Sequence, residues 1–321
     1  MVRRRIAAFA ALLCITALAH AQAYPTHPVK IVVGFAPGSA TDILARVVAD
    51  AFSKSMGQAF VVENKPGAGG SIGAAAVKEA APDGYTLVAA GSGPFGINPA
   101  IYTTLPYDAL RDFAFIGNVV LTPQAIVVGS GTPYRTLKEF VAAAKAKPGE
   151  IPFASLGKGS TSHLSMEAFA GVAGIKLNHI PFKGSGDSQA AIIGGQVPVM
   201  SDTVPGVLAQ VRAGKLRALA VAIPKRSTFL PDVPTVAESG YPGFEAVGWI
   251  GLAAPAKTPG PILDKLNAEI HKMLQDPAVK AKLEQLAFDP VIDSREQFTA
   301  FVRSEIAKWT RVAKDSGAQI E

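Results

Sequence analysis

The strongest constraint on how this chain can fold is a local grammar that occurs twice: a short apolar strand, a turn rich in Gly and hydroxyl residues, then a helix. The first copy runs Val29-Lys30-Ile31-Val32-Val33-Gly34-Phe35-Ala36-Pro37-Gly38-Ser39-Ala40-Thr41-Asp42. The second runs Ile151-Pro152-Phe153-Ala154-Ser155-Leu156-Gly157-Lys158-Gly159-Ser160-Thr161-Ser162-His163. Each turn opens a helix, so backbone N–H groups with no intrahelical acceptor and the positive end of the helix dipole point beyond the strand. Each turn is therefore an anion cradle. Two cradles widely separated in sequence imply two lobes closing on a carboxylate or similar anion.

The amino terminus, Met1-Val2-Arg3-Arg4-Arg5, an uncharged apolar run from Ile6 to Leu18, and Ala19-His20-Ala21, has the layout of a secretory signal peptide. The apolar run is shorter than the ~20 residues a membrane helix needs. We expect residues 1–21 to be a signal, cleaved after Ala21 or Ala23, and the mature chain to be soluble and exported. The single cysteine, Cys14, lies in the signal core, so disulfides and thiolate chemistry are not expected in the mature chain. Without Arg3, Arg4 and Arg5 the 31 basic residues become 28 against 25 acidic, a balance of +3. These charges are scattered and not interleaved with aromatics, which argues against nucleic-acid binding.

Periodicity gives alternating strands and helices. Val29–Phe35, Phe60–Glu63 and Tyr85–Ala90 read as strands, with helices over Asp42–Met56 and Ser71–Ala81 between them. Two β-rich pieces follow, Phe113–Val120 and Gln124–Val128. Thr136-Leu137-Lys138-Glu139 is a capping box opening a helix that ends near Pro148. A second α/β unit has strands at Ile151–Ser155, Leu177–Phe182 and Val197–Asp202 and helices at His163–Ala173, Asp187–Ile193 and Val204–Ala213. Strands Leu216–Ile223 and Val247–Ala254 precede a helical tail, which most simply returns to cover the first unit. The expected division is residues 22–123 with 247–321 as one lobe and 124–246 as the other, with crossings near 123 and 247.

Several enzyme motifs match formally without their structural context. Gly69-Gly70-Ser71-Ile72-Gly73 fits G-x-S-x-G, but residues 63–68 separate it from the strand, so the sharp nucleophile elbow is missing. Gly91-Ser92-Gly93-Pro94-Phe95-Gly96 fits G-x-G-x-x-G, yet Pro94 and Pro99 interrupt the helix that would receive a pyrophosphate, so it reads as a structural turn. The Ser155/Lys158, Ser201-Asp202-Thr203 and Lys257-Thr258 series mimics the penicillin-recognising motifs, but glycines place Lys158 in a turn. His27, His163, His179 and His271 have no metal-ligand spacing. No catalytic residue, metal or cofactor is implied.

Eight blocks in order resemble the Bug family, the TctC-type solute-binding proteins of tripartite tricarboxylate transporters. They begin at Val33, Glu63, Asp83, Gly157, Pro181, Gly194, Ala213 and Pro231. Among them are Val33-Gly34-Phe35-Ala36-Pro37-Gly38-Ser39-Ala40-Thr41-Asp42, Glu63-Asn64-Lys65-Pro66-Gly67-Ala68-Gly69-Gly70 and Gly157-Lys158-Gly159-Ser160-Thr161-Ser162-His163-Leu164, and it is the eight in order that are specific. The resemblance implies an α/β, two-lobed periplasmic-binding-protein fold of type II-like form, each lobe a mixed sheet flanked by helices, with ligand in the cleft. It also implies a carboxylate ligand (a di- or tricarboxylate, an acidic amino acid or an aromatic acid) and a TctA/TctB-type permease, with a sensor kinase as a further partner and a monomer as the working form. Ligand-facing positions would be Phe35, Ala36, Gly38, Ser39, Ala40, Thr41 and Asp42 from one turn, Gly159, Ser160, Thr161 and His163 from the other, and Asp202 and Thr203 at a strand end. Asp202 either accepts from an ammonium or hydroxyl group of the ligand or caps the following helix. The chain departs from the family pattern at Ser39, commonly a second glycine, and at Ser201-Asp202-Thr203, commonly Phe-Asp-Asn. The alternative classes are a secreted serine hydrolase using Ser71 or Ser155, and a ligand-sensing signalling subunit.

Overall fold

The alternation of buried side chains on each strand shows how the chain makes two cores at once. On strand β1 (Val29–Val33), Val29, Ile31 and Val33 join one apolar cluster while Val32 joins another on the opposite face. Successive side chains of a strand point to opposite faces, so a strand apolar on both must be covered on both. The first face is covered by α1 (Ala40–Met56), through Leu44, Val48 and Phe52, and by α8 (Gly260–Gln275), through Leu266 and Ile270. The other is covered by α2 (Ser71–Lys78) and by α10 (Arg295–Ser316), whose Phe298 and Val302 pack on Phe115 and Trp249. The helical tail thus packs on the first α/β unit. This computed structural model describes residues 24–316, and the expected signal segment and its cleavage positions lie outside the described residues.

β1 pairs in parallel with β2 (Phe60–Asn64) and β3 (Thr86–Gly91). β3 then pairs antiparallel with β9 (Val247–Pro255), and β9 pairs antiparallel with β4 (Phe113–Gly129). Sequence periodicity gives two pieces here, Phe113–Val120 and Gln124–Val128; Pro123 between them has no N–H to give to a ladder. The strand instead runs unbroken for 17 residues and changes partners at that point. Pro123 pairs with Val247, whereas Gln124 pairs with Thr203 of β7 (Val199–Thr203). From Gln124 onward β4 pairs antiparallel with both β7 and β8 (Leu216–Val221). β5 (Pro152–Ser155) lies parallel to β7 and to β6 (Asn178–Pro181). The same two-sided burial recurs here, with Ile126 and Val128 in one cluster and Ala125 and Val127 in another.

The helices that open from the two turns start earlier than apolar periodicity indicates. α1 begins at Ala40 because Ser39 is its N-cap, its side chain accepting from the Asp42 N–H at 3.3 Å. α5 (Thr161–Ala173) begins at Thr161 because Ser160 accepts from the His163 N–H at 3.3 Å. Helix also forms after β3 despite Pro94 and Pro99: a π-type turn over Gly93–Ile97 runs into α3 (Asn98–Ile101). Each Pro sits in the first turn of its segment, where a missing N–H costs nothing.

Candidate binding site between the lobes

The two turns meet. One cavity of about 50 Å³ is lined by Phe35, Ser39, Ala40 and Thr41 from the first lobe and by Leu156, Ser160, Thr161 and Ser162 from the second. At the start of α1 the Asp42 N–H is taken by the Ser39 cap and the Ile43 N–H by the Ser39 carbonyl, leaving the N–H groups of Ala40 and Thr41 without an acceptor among the described residues. At the start of α5 the His163 N–H goes to the Ser160 side chain and the Leu164 N–H to the Ser160 carbonyl, leaving those of Thr161 and Ser162 likewise unassigned. Two helix N-termini therefore present four free donors and two positive dipole ends to one small space.

Eight of the thirteen positions expected from sequence line the cavity: Phe35, Ser39, Ala40, Thr41, Ser160, Thr161, Asp202 and Thr203. The other five do not, and each has a role behind the turn. Gly38, at φ +81, makes the bend and donates its N–H to the Asp42 carboxylate at 2.9 Å. Ala36 packs against the opposite lobe, where a side chain on Gly184 would come within 3.0 Å of it. Asp42 turns back to take both Arg46 Nε at 3.0 Å and Asn64 Nδ2 at 2.8 Å. Burial opposes ionisation of Asp42, but the bonds from Arg46, Gly38 and Asn64 outweigh it and hold the carboxyl below its ordinary range. His163 lies under the second turn, where its Nδ1 accepts the Gly159 N–H at 3.3 Å and its ring stacks on His179 at 3.8 Å. Burial, with His179 and Lys158 nearby, lowers the His163 pKa to about 3, so the ring is neutral. Gly159, at φ +77, completes that turn with its face against Asn98 and Tyr102.

Asp202 is the single ionisable residue in the lining, and its carboxylate is already engaged within its own lobe. One oxygen accepts from Ser185 Oγ and the other from the Thr203 N–H at 2.7 Å. Burial raises its pKa despite the bonds from Ser185, Thr203 and Gln189. The cap of the following helix α7 (Val204–Arg212) is Thr203, which accepts the Gly206 N–H at 3.1 Å. Ser160 spends its hydroxyl on the Gly157 carbonyl at 2.7 Å, so it shapes the turn more than it offers a donor.

Sequence reasoning did not mark Gly91, Ser92, Gly93, Thr122, Gln124, Leu156, Trp249 and Ile250, all of which line the cavity. Ser92, in a segment that reads from sequence as a structural turn, sits just after β3, and its Oγ accepts the Trp249 N–H at 2.8 Å. In sequence, Gln124, Trp249 and Ile250 lie next to the two crossings expected near 123 and 247, and a crossing between lobes runs along a cleft. The hydrolase candidates have structural duties. Ser71 Oγ is bonded to Asn98 Nδ2 at 2.7 Å and lies 3.0 Å from Tyr107 Oη. Ser155 is fully buried, its Oγ 2.6 Å from His179 Nε2 and donating to the Gly157 carbonyl at 3.2 Å. Among the described residues no cluster of His, Cys, Asp or Glu could hold a metal ion.

Two mixed-sheet lobes with a helix terminus from each aimed into the cavity between them have the form of a periplasmic-type solute-binding receptor. The sequence profile of the tripartite tricarboxylate transporter family receptor, TctC, matches residues 44–318, and the chain belongs to that family. Three solved structures agree with it. That of the periplasmic binding protein BugD is 36% identical, covers 93% of this chain and all of its own, and superposes with a TM-score of 0.89. Rpa4515 of R. palustris with adipate is 33% identical, with 92% and 100% coverage and a TM-score of 0.90. MatC of Rhodopseudomonas palustris with bound malate is 32% identical, with 90% and 99% coverage and a TM-score of 0.86. Among the described residues no helix is long and apolar enough to cross a membrane.

Proposed function

We propose that this chain captures a small organic carboxylate in the periplasm, a dicarboxylate being the best-supported class, and passes it to a TctA/TctB-type membrane permease. The observation that carries this reading is the pair of helix N-termini, one from each lobe, with four unassigned N–H groups facing one cavity. A helix terminus contributes about 0.3–1 kcal/mol and up to about 2, whereas micromolar binding needs about 8. Hydrogen bonds to an ionised group, at about 1.5–3 kcal/mol each, supply the difference once closure excludes water. The four N–H groups and the hydroxyls of Ser39, Thr41 and Thr161 are the donors.

Adipate in Rpa4515 and malate in MatC are both dicarboxylates. An amino acid is less well served, because the Asp202 carboxylate that would receive its ammonium is taken by Ser185 and Thr203. Residues 22–123 with 247–321 would form one moving body and 124–246 the other, hinged at the two crossings, after removal of the signal at residues 1–21. The test is a thermal-shift screen of ligand-stripped protein against small mono-, di- and tricarboxylates and amino acids, followed by calorimetry. A ligand that binds only the folded closed form adds about 2.7 kcal/mol at a hundredfold excess over Kd. A folded, stripped sample stabilised by no carboxylate would overturn the proposal.

A further inference from the structure

We infer that Gln124 reads the end of the ligand farther from the two cradles and selects ligands that carry a second hydrogen-bond acceptor there. The inference rests on carboxylate capture as proposed above.

Gln124 is the residue at which β4 leaves the first lobe and enters the second, and its backbone is fixed from both sides. Its N–H donates to the Ala246 carbonyl at 3.0 Å, and its carbonyl accepts the Ala222 N–H at 2.8 Å. The residue is 1% exposed and lines the cavity. Its amide has a defined orientation, because Oε1 accepts from Ser201 Oγ at 3.3 Å and Ser201 is itself 2.9 Å from Ser165 Oγ. With Oε1 occupied, the NH2 group is left over, and Nε2 is buried with no partner. A buried amide with unused donors is costly unless something fills the place of its missing acceptor. Gln124 lines the cavity, so an acceptor brought by a ligand would approach the amide from there.

The residues around it have a consistent polarity. Ser92 Oγ accepts from the Trp249 N–H, which leaves its hydroxyl hydrogen free to donate. A side chain on Gly248 would touch Thr122 Oγ1 at 2.6 Å and Ser92 Oγ at 3.4 Å, so these two hydroxyls border the same crossing. An NH2 group gives donors only. It accommodates a carboxylate, carbonyl or hydroxyl oxygen and rejects an ammonium or a methyl group. The ligand class that satisfies both ends is an acid whose first carboxylate sits between the cradles and whose second acceptor meets Gln124.

The experiment is calorimetric titration of ligand-stripped wild type, Gln124→Met and Gln124→Asn. Each is titrated with the tightest-binding of succinate, malate and adipate, and with the counterpart in which a methyl group replaces the second carboxylate. Gln124→Asn keeps an amide but withdraws it by one methylene, so it guards against a folding failure in Gln124→Met, and melting curves check both. We expect the dicarboxylate to bind either folded variant at least about tenfold more weakly, while the methyl counterpart changes by less than about twofold. Dicarboxylate affinity within twofold of wild type in a folded variant would overturn the role of Gln124. Wild type that binds none of the three acids would instead remove the capture reading, a separate result.

Discussion

Replacing Gly159 with Ala should weaken ligand binding by about tenfold or more while both lobes stay folded. Gly159 belongs to the second-lobe turn and has φ +77. A Cβ there would meet Asn98 Oδ1 well inside contact distance and Tyr102 Cε2 at 3.0 Å, both on the first lobe. Two costs follow, and they separate. The left-handed backbone costs Ala about 1–2 kcal/mol whether the lobes are open or closed, so it appears in stability. The collision exists only when the lobes are closed, so it appears in affinity. Asn98 cannot move freely, because its Nδ2 donates to Ser71 Oγ at 2.7 Å and to the Ala68 carbonyl at 3.1 Å. Breaking one such buried bond costs about 1–3 kcal/mol, and a penalty of that size on the binding-competent state divides the apparent affinity by about 5–150. Gly174→Ala is the control: it has φ +63 with nothing within 4 Å, so it carries the backbone cost alone. Calorimetry and thermal melts on both variants decide the matter. Equal affinities in folded Gly159→Ala and wild type would refute the argument that this contact forms on closure.

Three further outcomes are expected. Stability should fall with acid: the unfolded chain protonates its imidazoles below pH about 6.5, whereas folded His163 holds out to about 3 and His179 to about 4. Each therefore contributes up to about 1.4 kcal/mol lost per pH unit between those limits, and melting of His179→Asn across pH 7 to 4.5 should show a flatter decline. Asp42→Ala should cost on the order of 1–3 kcal/mol by leaving the Gly38 N–H and Asn64 amide unpaired, and should weaken binding as the first turn loosens. Because the Asp42 carboxyl is held below its ordinary range, its contribution is present near neutrality and disappears as pH falls, so wild type and variant should converge in strong acid. Thr161→Val keeps the bulk and removes a cavity-lining hydroxyl. It should weaken carboxylate binding by about tenfold or more with an unchanged melting temperature, and equal affinity by calorimetry would place that hydroxyl outside the site.

The cradles were legible because their chemistry is local. A strand, a glycine that bends and a hydroxyl that caps are adjacent in sequence, and Ser39 and Ser160 cap as their positions imply. What each side chain does after the turn folds was not legible. Asp42 and His163 lie in the same short motifs as the cavity residues, but one turn of helix rotates them behind the cradle. Gln124 and Ser92 were missed for the opposite reason, since their place depends on β4 lying beside β7 and on β9 lying beside β3, pairings between distant segments. The same applies to β4, where Pro123 reads as a break until its change of partner is seen. Asp202 was open between two roles in sequence, and the Ser185 and Thr203 bonds that occupy it come partly from a helix that sequence places but does not orient.

The most direct test of anion capture between opposed helix termini is a crystal structure of the stripped protein soaked or grown with its tightest carboxylate. The account predicts one carboxylate group in the cavity, its oxygens about 2.7–3.2 Å from the backbone nitrogens of Ala40 and Thr41 on one side and of Thr161 and Ser162 on the other. A carboxylate bound elsewhere, or held by one lobe alone, would contradict it.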